Sequence, residues 1–215
     1  SIGLVGSEMC IRDSFDDALK ESKTFCKKNK VNFIHPFDDP LVIAGQGTVG
    51  MEISEQFPEN LYAVFVAVGG GGLIAGIGAY LNKVHPNVKI IGVEAADSAG
   101  LHASVKAGKR VKLKEVGLFA DGAAAKQIGK NNYELIKNFL DDSITVDTDE
   151  ICAAVKDTFL ETRTVPEPTG ALALAGLKKY ISQKRIKNKN LIATYCGSNL
   201  NLSLIHISEP TRPID

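Results

Sequence analysis

The chain has 215 residues, 44% of them hydrophobic, and 25 basic side chains balance 25 acidic ones. That is ample apolar material for a core, and the balanced charge offers no global field for nucleic acid or an anionic membrane. No apolar run reaches the ~20 residues of a membrane span. Four cysteines, at 10, 26, 152 and 196, show neither metal-ligand spacing nor a disulfide framework, which is the usage of a reducing compartment.

In chain order, the first segment looks foreign. Gly3-Leu-Val-Gly-Ser-Glu-Met-Cys-Ile-Arg-Asp13 resembles the translation of a transposase adapter used in sequencing libraries, and Leu202–Arg212 resembles its reverse complement. Residues 1–13 and 202–215 are therefore expected to be adapter scars, which strips Cys10, His206 and Glu209 of functional meaning. The native piece is expected over 14–201, as the C-terminal part of a catalytic domain. Ser14 and Asp17 read as a capping box for a helix to about Lys28. Val31–Ile34 reads as a short strand. His35-Pro-Phe-Asp-Asp-Pro40 must be a loop, because each proline pushes its predecessor out of helix. A glycine turn is expected at Ala44-Gly-Gln-Gly-Thr48, with Thr48 capping a helix over Val49–Phe57.

The strand Ala63–Val68 then runs into Gly69, Gly70, Gly71 and Gly72, and Leu73 begins a helix to Lys83. Strand, glycines and helix in that order build an anion site: without β-carbons the backbone can turn its N–H groups inward at the positive end of a helix dipole. The same residues fit G-x-G-x-x-A, and Glu94 ends the next strand, Lys89–Val93, at the distance where a dinucleotide fold places its ribose-binding acid. Spacing alone leaves phosphate and dinucleotide readings both open. Phe119–Gly129 is ambiguous. Helices are expected at Asn131–Leu140, Asp149–Thr162 and Gly170–Gln183, and a strand at Asn190–Tyr195 leading into Cys196-Gly-Ser-Asn199. Lys178–Lys189 is locally basic and reads as a solvated helix end. There is no internal repeat. β-α-β alternation with continuously apolar strands argues for an α/β fold: an open, mostly parallel twisted sheet with helices on both faces.

Ligands of such sheets bind at the carboxyl ends of strands, which selects the glycine turns, Glu94 and Cys196. Cys196 reads as a nucleophile or as a small buried apolar residue, with His35 and His85 the only native histidines weighed as partners. The pairs Asp38-Asp39 and Asp141-Asp142 read as loop or helix-end acids, since adjacent side chains diverge. Glu167-Pro-Thr-Gly170 precedes a helix and could serve only as its turn.

Together, His35–Ile53, the four glycines, Ile91-Gly-Val-Glu94, Gly117–Gly122, Leu140–Val155 and Glu167–Tyr180 resemble, in family order, the biosynthetic threonine dehydratases (threonine ammonia-lyases). These are fold-type II pyridoxal-phosphate enzymes of the tryptophan synthase beta-like kind. The resemblance implies that Gly69–Gly72 and Leu73 hold the phosphate of pyridoxal 5'-phosphate. It places Cys196 opposite the pyridine nitrogen, Glu167 near the ring as the one candidate catalytic residue, and Gly47 and Ala123 at the pocket wall. No metal is carried over, since Gly100 stands where cation-binding relatives that racemise serine would need a carboxylate. The reaction implied is conversion of L-threonine to 2-oxobutanoate and ammonia, in isoleucine biosynthesis. A serine dehydratase or racemase is the near alternative, and a nicotinamide oxidoreductase or a non-catalytic cofactor-binding protein the distant ones. Neither a Ser-Phe-Lys nor a Ser-Gly-Asn-His segment occurs in the 215 residues, so the imine-forming lysine is expected upstream and this chain alone is expected to be inactive. The family also implies a homo-oligomer, a tetramer, without nucleic-acid or membrane partners. It implies a cytoplasmic location, or a plastid or mitochondrial one if a transit peptide precedes the chain.

Overall fold

Strands that are apolar at every position must be covered on both faces, and the described segments satisfy that requirement in three layers. The structure is a computed structural model and describes residues 15–57 and 59–198. The adapter-like ends, Ser14 with its expected cap, and Asn199 lie outside the described residues. In chain order come α1 (Phe15–Asn29), α2 (Pro40–Gln56), β1 (Leu61–Ala67), α3 (Gly72–Val84), β2 (Lys89–Ala95) and α4 (Gly100–Ala107). Then follow α5 (Lys130–Ile136), β3 (Leu140–Val146), α6 (Thr148–Thr162), α7 (Pro168–Lys184) and β4 (Asn190–Ala193).

The sheet is parallel throughout, in the order β3-β2-β1-β4. Alternate residues of each strand feed opposite cores. Ala63, Phe65, Ile91 and Val93 pack with Ile151, Ala154 and Leu172 of α6 and α7, while Val64, Val66 and Ile90 pack with Ile43, Ile74 and Ile77 of α2 and α3. The expected open parallel sheet with helices on both faces is what forms. Strand order reverses at β1, because β2 and β3 lie on one side of it and the chain returns through α6 and α7 to add β4 on the other. The crevice outside the β1 and β4 carboxyl ends is the topological switch point.

Three local expectations fail, each for a physical reason. The turn at Ala44–Thr48 is the interior of α2, which begins eight residues earlier than Thr48. Asp39 is its cap, accepting from Leu41 N at 2.8 Å and Val42 N at 3.4 Å, with Pro40 in the first turn. Its glycines permit a close crossing: a Cβ on Gly50 would lie 3.0 Å from Ile77 O, and one on Gly76 of α3 would strike Ile43 O. Val31–Ile34 is not a strand; Val31 N–H turns back to Cys26 O at 3.0 Å, and the Val31 and Ile34 side chains are exposed. The helix expected to Leu140 stops at Ile136, and Leu140–Val146 is instead strand β3. Its polar start, Asp141-Asp142-Ser143, hides the strand pattern, yet Asp141 Oδ2 accepts Ile90 N–H at 2.8 Å where the β2–β3 register shifts. Finally, α4 has no cap of its own, and Glu94 supplies one from β2.

Candidate functional site

The end of β1 stays in the ladder through Val68, whose N–H reaches Val93 O at 2.9 Å, and the four glycines follow. Gly71 has φ +91° and forms the N-terminal boundary of α3, which has no side-chain cap. That left-handed conformation is strained for any residue with a Cβ. The other glycines are required by close approach. A Cβ on Gly69 would lie 2.8 Å from Ala123 Cα, one on Gly70 would enter the Phe37 ring, and one on Gly72 would lie 2.9 Å from Phe37 O. First-turn N–H groups at the positive end of a dipole and uncapped from within are chemically suited to an oxyanion. Leu73, next in line, is half-buried against the α2–α3 core.

Asn132 holds this turn in place, and nothing in the sequence singles it out. It is fully buried, and its Nδ2 donates to Gly70 O and Phe37 O, both at 2.8 Å. Gly129 N–H also reaches Gly70 O at 3.0 Å. The adjacent acids of the His35–Pro40 loop divide their work. Asp39 caps α2, while Asp38 accepts from the Lys130, Asn131 and Asn132 backbone N–H groups at 2.8–3.2 Å. As expected for neighbours, the two carboxylates point to different helix ends.

Across the switch point, α7 starts at Glu167-Pro168, and Glu167 N–H reaches Gly197 O at 3.0 Å. A Cβ on Gly197 would strike the Glu167 carboxylate, and one on Gly122 would lie 3.3 Å from Glu167 Oε1 and 3.0 Å from Thr169 Oγ1. The Thr169 hydroxyl is buried without a hydrogen-bond partner among the described residues. Cys196 directs its thiol at Thr169 O, 3.8 Å away. More than a third of the residue is exposed, yet burial around the sulfur, and then the Glu167 charge, push the thiol pKa up. Cys196 is therefore a neutral thiol near pH 7 rather than an activated nucleophile. The short turn Asp121–Ala123 joins the two halves, with Ala123 on Gly69 and Gly122 on Glu167 and Thr169.

The histidines are engaged elsewhere. His35 Nδ1 accepts from Asp38 N at 3.0 Å and Phe37 N at 3.4 Å, and burial lowers its pKa. His85 Nε2 meets Ser54 Oγ at 2.8 Å. The Cys/His pairing is thus corrected. Gly47, expected at the pocket wall, sits in the α2–α3 crossing, where a Cβ would be 3.4 Å from Gly76 O. Glu94 is also not the ribose acid of a dinucleotide site. It is 1% exposed, and its two oxygens accept Leu101 and His102 N–H, each at 2.7 Å. Burial outweighs those hydrogen bonds and raises its pKa to about 7.

What the fold offers at the switch point is a seat for phosphate with ionisable groups one turn away, the plan of an α/β enzyme that anchors a phosphate-bearing cofactor. Comparison with known families is narrower and agrees: the family described as pyridoxal-phosphate dependent enzyme matches residues 2–197, and the chain belongs to it. The biosynthetic L-threonine dehydratase of Burkholderia multivorans is 50% identical over 189 residues, 88% of this chain and 37% of that protein. A solved structure of the processed form of threonine deaminase isoform 2 from Solanum lycopersicum superposes with TM-score 0.87 at 41% identity. That match covers 90% of this chain and 56% of the other. Serine racemase from Dictyostelium discoideum follows with TM-score 0.77 at 30% identity, covering 89% and 61%. The chain spans well under half the length of the curated Burkholderia relative and a little over half of the two solved chains.

Proposed function

We propose that these residues form the phosphate-holding part of an enzyme that converts L-threonine to 2-oxobutanoate and ammonia. The observation that carries the reading is the Asp121–Ala123 turn, which brings the glycine cup against the Glu167–Thr169–Cys196 cluster at the sheet's switch point. The 50% identity to a biosynthetic threonine dehydratase supports the substrate. When bound, pyridoxal phosphate supplies an electron-withdrawing ring that stabilises charge left on the substrate's α-carbon.

The chain's own groups suit that cofactor. Gly69–Gly72 and Leu73 would hold its phosphate through backbone N–H groups, and a Cβ at any of the four glycines would crowd the cup. The unpartnered Thr169 hydroxyl leaves one buried polar group for a ligand to satisfy. Cys196, kept a neutral thiol, would face the ring nitrogen without protonating it. An unprotonated ring is a moderate electron sink, which suits loss of a β-hydroxyl better than transamination. Glu167, half-buried beside Cys196, would lie near the ring, and its effect on Cys196 is to disfavour the thiolate. Among the described residues, the groups nearest the four glycines are Phe37, Ala123, Ile128 and Asn132. No Ser-Phe-Lys segment occurs in the 215 residues, so in this reading the lysine that holds the aldehyde comes from polypeptide outside them.

Completing the chain with its upstream coding sequence and measuring 2-oxobutanoate from threonine tests the proposal. Turnover is expected in the completed enzyme and none from the 215 residues with added pyridoxal phosphate. Absence of turnover by the completed enzyme would refute the activity. Serine is the second substrate to assay, because Cys196 and the likeness to serine racemase both favour it. A homo-oligomer, a tetramer, belongs to the same proposal. Among the described residues no helix is long and apolar enough to cross a membrane. Relatives include mitochondrial and chloroplastic forms beside bacterial ones, and we infer a cytoplasmic or organellar setting for this one.

A further inference from the structure

Asn132 spends its side chain in a way that packing alone does not explain. It is fully buried, its Nδ2 donates to Gly70 O and Phe37 O, both at 2.8 Å, and its Oδ1 is buried with no hydrogen-bond partner among the described residues. An unpartnered buried acceptor is destabilising, and an apolar side chain of the same size would fill the space without it. What asparagine adds is a pair of N–H donors for two carbonyls of the glycine cup's wall. The amide cannot be turned round, since Oδ1 would then face both carbonyl oxygens. Gly70 O is the more consequential partner, and Gly129 N–H also reaches it at 3.0 Å. The Gly70–Gly71 peptide is trans and planar, so its N–H points opposite to its C=O. Holding the oxygen towards α5 therefore aims Gly71 N–H away from α5. Between two glycines no Cβ opposes rotation of this peptide, so its orientation has to be set from outside the turn.

We propose that Asn132 is a positioning residue for the cofactor phosphate: its amide holds the Gly70 carbonyl back, so that Gly71 N–H is presented to the phosphate before the cofactor arrives. The inference rests on the pyridoxal-phosphate reading of the cup given above. Asn132 touches the backbone of the cup and acts on the ligand only through it. Its second bond, to Phe37 O, ties the same amide to the His35–Pro40 loop. Asp38 of that loop in turn holds the start of α5 by three backbone N–H groups, that of Asn132 among them at 3.2 Å. The amide is thus braced at its backbone and at its tip, and has little freedom to follow Gly70 if that peptide turns. A donor fixed before binding need not be ordered during it, which favours affinity.

The test is equilibrium dialysis of the completed enzyme, freed of cofactor, against pyridoxal phosphate and against pyridoxal, its dephosphorylated form. Asn132→Leu is expected to weaken pyridoxal phosphate roughly tenfold or more and to leave pyridoxal unchanged, because only the phosphate meets the cup. Asn132→Ser keeps one O–H, enough for one carbonyl, and should show a smaller loss with the same preference; it decides the matter if Asn132→Leu does not fold. Tyr133→Phe removes another buried hydrogen bond of α5, to Ser104 O at 3.3 Å, that does not reach the cup, and should leave both affinities unchanged. Parent-like affinity for pyridoxal phosphate in the Asn132 variants would overturn the proposal. Equal losses for the two ligands would overturn it too, marking Asn132 as a residue of general structure. A parent enzyme that binds no pyridoxal phosphate would refute the cofactor reading itself, and this inference with it.

Discussion

Glu94 shows how one side chain can be read two ways until its partners are known. It ends β2 where a ribose acid would stand, but its carboxylate is spent on the first turn of α4. Its pKa rises from 4.5 to about 7 on folding, so the folded state binds the proton more tightly than the unfolded state. The associated stability is fully present below pH 4.5 and is lost as pH rises towards 7, about 3 kcal/mol in all. Urea unfolding at pH 5 and pH 8 should show that loss, and Glu94→Gln should flatten it. His35 works in the opposite sense: its lowered pKa gives stability that is present above 6.5 and lost as pH falls below it. At Cys196, slow alkylation by iodoacetamide at pH 8 is expected despite its exposed surface, and Glu167→Gln should speed it by removing the charge that opposes the thiolate. At Gly71, alanine must adopt φ +91° and should cost about 1–2 kcal/mol in thermal or urea unfolding.

At the scale of elements, glycine and aspartate have meanings that only their neighbours supply. Gly47 looks like a turn former in sequence, yet with Gly50 and Gly76 it lets α2 and α3 cross at backbone contact. Gly76→Ala places a methyl against Ile43 O and should destabilise by about 1–3 kcal/mol, as overpacked sites do. Denaturation of that variant beside Gly45→Ala, which meets open space, would separate crowding from helix propensity. Asp38, Asp39, Asp141 and Glu94 all accept backbone N–H groups at the ends of helices or ladders, Asp38 and Asp141 on an element distant in sequence. Caps exchanged between elements leave no pattern within the helix or strand they serve, which is why α4 and β3 are not legible. By contrast the cap at Asp147 is local, reciprocal with Glu150, and its helix lay within a residue of its expected start.

For the whole molecule, the sheet's two cores are complete around β1 and β2, where Phe65 is fully buried against the Tyr180 ring with centroids 5.3 Å apart. Phe65→Ala should cost about 3–5 kcal/mol. The outer surfaces are less finished. Phe25, Ile34, Leu41 and Phe57 are exposed on or beside α1 and α2, an apolar surface that promotes association. The chain by itself is expected to melt at low temperature and to associate, and scattering with calorimetry on the purified 215 residues would check both.

The sequence by itself determined the fold class, the glycine cup and its cofactor family. Continuously apolar strands dictate a sheet covered on both faces, and a tetraglycine turn at a helix start needs no distant partner to be recognised. Only the tertiary structure decided that Asn132 clamps the cup and that Glu94 faces a helix. It alone joined Ala123 and Gly122 to the cup and to Glu167. These depend on contacts between different elements, some of them dozens of positions apart, and local propensity carries no record of which other backbone a side chain will meet.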